Sequence, residues 1–165
     1  MKIVTGKLPY FLLLIFVFAI SCNNQAKSDI SHENSFARDS VQVMMHSIVK
    51  DLSQKGPIAW LSYFENTPEF FMVSNGRLEF PNIDTAKYFI KHTLVKIIAG
   101  IELRWGNIRI DVLTNEWASV SAVYYEDIKD SSGKTMPYHG YFTAIAHRTS
   151  EGWKLRNLHW SGMTQ

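Results

Sequence analysis

Apolar positions change their spacing near residue 100, from a helical period to a strand period. Between Phe36 and Ser53, residues Val41, Met44, Met45, Ile48, Val49 and Leu52 recur at the i, i+3, i+4, i+7 spacing of an amphipathic helix. Gly56-Pro57 stops it, and Pro57 suits the first turn of a second, short helix through Trp60, Leu61 and Phe64, broken by Asn66-Thr67-Pro68. Glu69 to Val73 and Arg77 to Phe80 read as strands joined by Ser74-Asn75-Gly76, a hairpin signal. Asp84 is the expected N-cap of a third helix holding Ala86, Phe89, Ile90, Leu94, Ile97 and Ile98, with Gly100 closing it at C′. Four strands follow, approximately 101–113, 117–129, 136–148 and 153–161, separated by turn residues short enough to favour antiparallel neighbours.

Alternation within these strands separates two faces. Ile108, Ile110 and Val112 alternate with Asn107, Arg109 and Asp111, which turns Asp111 toward solvent. Ala118, Val120, Ala122 and Tyr124 alternate with Trp117, Ser119, Ser121 and Val123. In the last strand Trp153, Leu155, Asn157, His159 and Ser161 share a side that begins as core and ends polar. A polar end on a buried face predicts a cavity. Helices first and a strand meander last make the class α+β, with the helices covering one face of a curved sheet.

The N-terminal segment has its own pattern. Lys2 and Lys7 precede an uninterrupted apolar run, Phe11 to Ile20, of ten residues. A membrane-spanning helix needs about 20, so the run reads as the core of an export signal. Ala19-Ile20-Ser21-Cys22 resembles the lipobox of bacterial lipoproteins, which implies cleavage before Cys22 and acylation of it by palmitate-type chains. The alternative is a plain secretory signal cut after Ser21, leaving Cys22 a free thiol. The expected organisation is a signal peptide over 1–21, a flexible polar tether over 22–35 and one folded domain over 36–165. The location that follows is the cell envelope, lipid-anchored on the extracytoplasmic side.

Composition narrows the chemistry. The chain has 165 residues with 17 Lys plus Arg, 15 Asp plus Glu and one cysteine. Lys2 and Lys7 lie in the signal, so the processed chain carries 15 basic and 15 acidic residues and no electrostatic footprint for nucleic acid. One cysteine excludes a disulfide framework and a multi-cysteine zinc site. The six histidines lack ligand spacing, so no metal is expected. No Gly-x-Ser-x-Gly elbow or Gly-rich phosphate loop is present, and no cofactor is expected.

Gly152-Trp153-Lys154-Leu155 followed by Leu158-His159-Trp160-Ser161 resembles the closing strand of the SnoaL-like branch of the nuclear transport factor 2 superfamily. Gly140-Tyr141-Phe142-Thr143 and Ala118-Ser119-Val120 fit earlier strands of the same pattern. The resemblance covers roughly Arg38 to Ser161. It implies a cone-shaped α+β domain, with three N-terminal helices and a hairpin packed on a curved antiparallel sheet. Such cones serve isomerases, cyclases, dehydratases, ligand carriers and non-catalytic partners, so function must come from the site. Ketosteroid isomerase, a member, uses an aspartate base and a neutral acid. The family's base sits near the first hairpin, where Glu69 to Arg77 holds no aspartate and only Glu69 as an acid. That departure favours binding of a small, largely apolar ligand without turnover.

Parity makes Trp60, Tyr63, Tyr124, Phe142 and His159 the candidates for the cavity. His159 has two readings, a pocket group that bonds a ligand or moves a proton, and a hydrogen-bonded core histidine; both place it inside. Trp105, Trp117 and Tyr125 are assigned to the outer sheet face, suited to a homodimer. Two alternatives stand beside ligand binding: an isomerase or cyclase using His159 with Tyr63 or Glu102, and a dimerisation or partner-docking module.

Overall fold

The structure, a computed structural model, describes residues 34–162, so the export signal, Cys22 and most of the expected tether lie outside the described residues. Helix α1 spans 34–55. Val41, Met45, Ile48 and Leu52 on its inner stripe are fully buried, as their spacing predicts. Gly56 ends it in the left-handed region (φ 68°), and Pro57 opens a 3-10 helix, Gly56–Ser62, that buries Ala59 and Trp60.

Strands β1 (Phe71–Ser74) and β2 (Arg77–Phe80) form the expected hairpin. Asn75 and Gly76 both have positive φ (48° and 76°), the geometry that favours Asn-Gly in a two-residue turn. Helix α2, Ile83–Phe89, begins two residues earlier than expected. Asn82 is its N-cap, with Oδ1 accepting from Thr85 N at 2.9 Å, and Asp84 sits inside the first turn. The helical path continues as a π turn over Ile90–Leu94 and a last turn over Val95–Ile97. Gly100 does not close it. Ile98 already has extended dihedrals, so the chain leaves the helix directly into a strand that contains Gly100.

The long strands are β3 (Ile98–Val112), β4 (Trp117–Asp130), β5 (Thr135–Thr149) and β6 (Gly152–Gly162). The six-stranded sheet has the order β2-β1-β6-β5-β4-β3. The sheet is mixed rather than purely antiparallel, because β1 joins β6 in parallel, pairing Phe71 with Asn157 and Ser74 with Trp160. That pairing draws the early hairpin into the sheet beside the chain's last strand.

Register shifts interrupt the ladders at Met72/Val73, Ile98/Gly100, Gly106/Arg109 and Ile145/Ala146, and two of them bear on the site. One lies between Gly106 and Arg109 of β3, where Asn107 has φ 48°. The other is in β6: Leu155 pairs with Ala146 and Asn157 with Ile145, leaving Arg156 as the extra residue. An inserted residue reverses the parity of everything beyond it. Trp153 and Leu155 face the core as predicted, but after Arg156 the inward set is Leu158, Trp160 and Gly162. His159 is therefore exposed on the outer face, paired with Thr143. The core is built on fully buried Phe70, Phe142, Met45, Leu103, Leu155 and Leu158. Burying each large side chain contributes about 1.5–3 kcal/mol.

Candidate ligand cavity

The inner sheet face holds a cavity of about 350 Å³, within the range of small-molecule sites. Trp60 and Phe64 line it from the 3-10 helix and the turn after it, Met72 and Ser74 from β1, and Phe80 from β2. Ile90 and Leu94 form its wall in the π turn. That turn matters here, because a π turn re-aims helical side chains and such turns often mark functional sites. From the sheet come Ile101, Tyr124, Glu126, Ile128, Tyr138 and Trp160.

Trp160 is the hub of the aromatic floor. Its ring lies 4.6 Å from Phe142, 4.8 Å from Tyr124 and 5.7 Å from Trp60, the last two edge-on. Trp105 stacks behind it at 5.9 Å, and its indole N–H donates to Met45 O at 3.0 Å. Trp105 is thus an inward residue, not an outer-face one: it pairs with Tyr124 and precedes the β3 bulge.

Of the five predicted pocket residues, the structure brings Trp60 and Tyr124 to the cavity wall. Phe142 is fully buried beneath the floor, against Trp105 and Trp160. Tyr63 turns toward α1, where its hydroxyl donates to Asp51 Oδ2 at 2.9 Å; burial first, then this bond, pushes the phenol up to about 12. His159 is outside, for the bulge reason above. Glu102 is exposed, so the trio His159, Tyr63 and Glu102 shares no site.

The polar centre of the cavity is Glu126, which no motif singles out. Every even-numbered residue of β4 from Ala118 to Ile128 points inward, and Glu126 follows Tyr124 in that row. The same alternation that marked Ala118 to Tyr124 reaches Glu126 two residues later. It is half-buried, paired across the sheet with Leu103 on one side and Tyr138 on the other. Burial alone raises its carboxyl to about 7. Tyr124 is raised too, by burial first and then by the Glu126 charge. Glu79, exposed at the rim, is the other acid lining the cavity, and no Lys, Arg or His lines it among the described residues.

The outer face carries a separate polar staple. His147 Nδ1 lies 2.9 Å from Glu65 Oε1, and its ring stacks on Trp117 at 3.9 Å. Arg156, the bulge residue, sits 5.2 Å over Trp117 and bonds Glu69 at 2.9 Å. Glu69, the acid before the hairpin, is therefore engaged away from the cavity. Among the described residues no cluster of His, Cys, Asp and Glu is arranged to hold a metal.

No family model matches the chain, and no curated protein matches it in sequence. Solved structures do match in fold. A nuclear transport factor 2-like superfamily protein from Salmonella enterica serovar Typhimurium aligns with TM-score 0.67 at 16% identity, covering 79% of this chain and 94% of its own. A candidate scytalone dehydratase from Novosphingobium aromaticivorans aligns with TM-score 0.71 at 14% identity, over 81% of this chain and 89% of its own. The hexachlorocyclohexane dehydrochlorinase LinA, type 2, aligns with TM-score 0.61 at 11% identity, over 81% and 88%. The domain has the nuclear transport factor 2-like fold, a fold with both ligand-binding and enzyme members.

Proposed function

We propose that the chain is a lipid-anchored, extracytoplasmic binding domain that takes a small, largely apolar molecule into its cone and orients it by a polar group at Glu126. The observation that carries this reading is the cavity itself: a mostly aromatic and aliphatic cleft with a few converging polar groups, the usual form of a small-molecule site. The anchor rests on the lipobox-like Ala19 to Cys22. Lipid on Cys22 would supply the attachment; no helix among the described residues is long and apolar enough to cross a membrane. The outer sheet face, with Tyr125 and Tyr141 exposed, would serve a homodimer.

The test is fluorescence of the apolar dye N-phenylnaphthylamine with the full chain, alongside the cavity-filling variant Leu94→Trp. The reading expects saturable enhancement in the wild type, a rise in apparent thermal stability with dye, and loss of both in the variant. Equal enhancement in the two proteins, or none in either, overturns it. For the anchor, a fatty-acid analogue should label the wild type and not Cys22→Ala.

One observation favours a second reading, an acid/base enzyme. A carboxyl near pH 7 in an apolar cavity is suited to accept and return a proton, and two of the fold neighbours are named for eliminations, a dehydration and a dehydrochlorination. In that case Glu126→Gln abolishes turnover of a bound compound while leaving its binding intact.

A further inference from the structure

We propose that the molecule this cavity accepts carries an organic cation, an amine or quaternary ammonium, seated between Glu126 and the aromatic wall. This rests on the cavity reading above and names its ligand class. The titratable and charged groups sharing the cavity with Glu126 are Tyr124 on its own strand, Tyr138 on β5 and Glu79 on β2. The other walls, from β1, β3, β6, the 3-10 helix and the π turn, contribute only uncharged side chains. The site therefore offers negative charge and hydrogen-bonding phenols, with no protein cation to pair them.

Each alternative ligand fares worse on that surface. An anion would face Glu126 with no base to neutralise it. A neutral molecule would give the carboxylate at most an uncharged hydrogen bond and no counter-charge, so it offsets less of the cost of burying that group. A cation meets a counter-ion and, at the same time, the rings of Trp60, Trp160, Tyr124 and Tyr138, whose negative faces attract positive charge. The protein makes such contacts elsewhere with its own arginines: Arg104 lies 5.3 Å over Tyr125 and Arg156 lies 5.2 Å over Trp117. Both are on the outer face, so neither can fill the inner site.

The pairing also sets a pH dependence. The cation binds the ionised form of Glu126, so affinity falls as pH drops through the carboxyl's value of about 7. For a ligand whose own charge is fixed, binding at pH 6 should be about tenfold weaker than at pH 8.

The experiment is displacement of N-phenylnaphthylamine from the full chain by four compounds on one naphthylethyl scaffold: the primary amine, the trimethylammonium salt, the alcohol, and the matching naphthylacetate. The expected order is both cations at least about tenfold tighter than the alcohol, with the carboxylate weakest. In Glu126→Gln the preference for cations over the alcohol disappears and the trimethylammonium salt binds equally at pH 6 and pH 8. Circular dichroism of the variant checks that it is folded. Alcohol or carboxylate binding as tightly as the amine overturns the cation inference and leaves the cavity reading standing. Failure of dye and all four compounds to bind overturns both.

Discussion

Replacing Glu126 with glutamine should make the folded domain more stable at neutral and alkaline pH. Burial raises the carboxyl from 4.5 to about 7, so the folded state holds its proton more tightly than the unfolded chain does. The sign follows: the protonated carboxyl's contribution is fully present below pH 4.5 and is lost as pH rises through 7. Between pH 5 and pH 8 the wild type should therefore lose up to about 2.5 kcal/mol that the glutamine variant keeps. Solvent reaching the carboxyl from the cavity mouth makes this an upper value. The assay is urea unfolding followed by tryptophan fluorescence at both pH values in both proteins. Asp51, Asp130 and Glu69, all held below their usual values by hydrogen bonds, titrate identically in the two and cancel in the difference. Parallel pH profiles, or a variant less stable at pH 8, would refute the reasoning that Glu126 is desolvated.

Three further substitutions test the packing that shapes the cavity. Gly140 lies where β5 and β6 approach so closely that a Cβ would overlap Ser161 O and come within 2.9 Å of Gly162 Cα, so Gly140→Ala should cost about 1–3 kcal/mol in chemical unfolding. Phe142→Ala should cost about 3–5 kcal/mol and weaken dye binding, since it removes the support beneath Trp160. Asn75→Ala removes the Oδ1 bond accepted from Gly162 N at 2.7 Å and puts alanine at φ 48°, which should cost about 1–2 kcal/mol, with Asn75→Gly recovering part of it.

Much of the fold was legible because its signals are local. The α1 stripe, the Gly56-Pro57 stop, the Asn75-Gly76 turn and the alternation of β4 each act within a few residues, and each appears where its chemistry places it. What was hidden depends on pairing between distant segments. The parallel junction of β1 with β6 leaves no local mark. The bulge at Arg156 left none either, and it decided the site: without it His159 and Asn157 would stay in phase with Leu155, and Trp160 would face out. Gly100 reads as a helix terminator, yet the π turn carries the chain to a helix exit at Ile98 that needs no left-handed residue. Glu126 was within reach of parity alone, two residues past Tyr124. The family resemblance points to a base near the hairpin, whereas this carboxylate stands on β4.

Glu126, inward and partly desolvated, is the central polar group of a mostly apolar cavity. The most direct measurement is a carbon NMR titration of the glutamate side-chain carboxyls in the full chain, with Glu126 assigned by its disappearance in Glu126→Gln. A midpoint near 7, moving down when the naphthylethyl trimethylammonium salt is added, is the predicted result. A midpoint near 4.5 that is indifferent to the salt would contradict the account, because it would describe a solvated carboxylate with no part in a site.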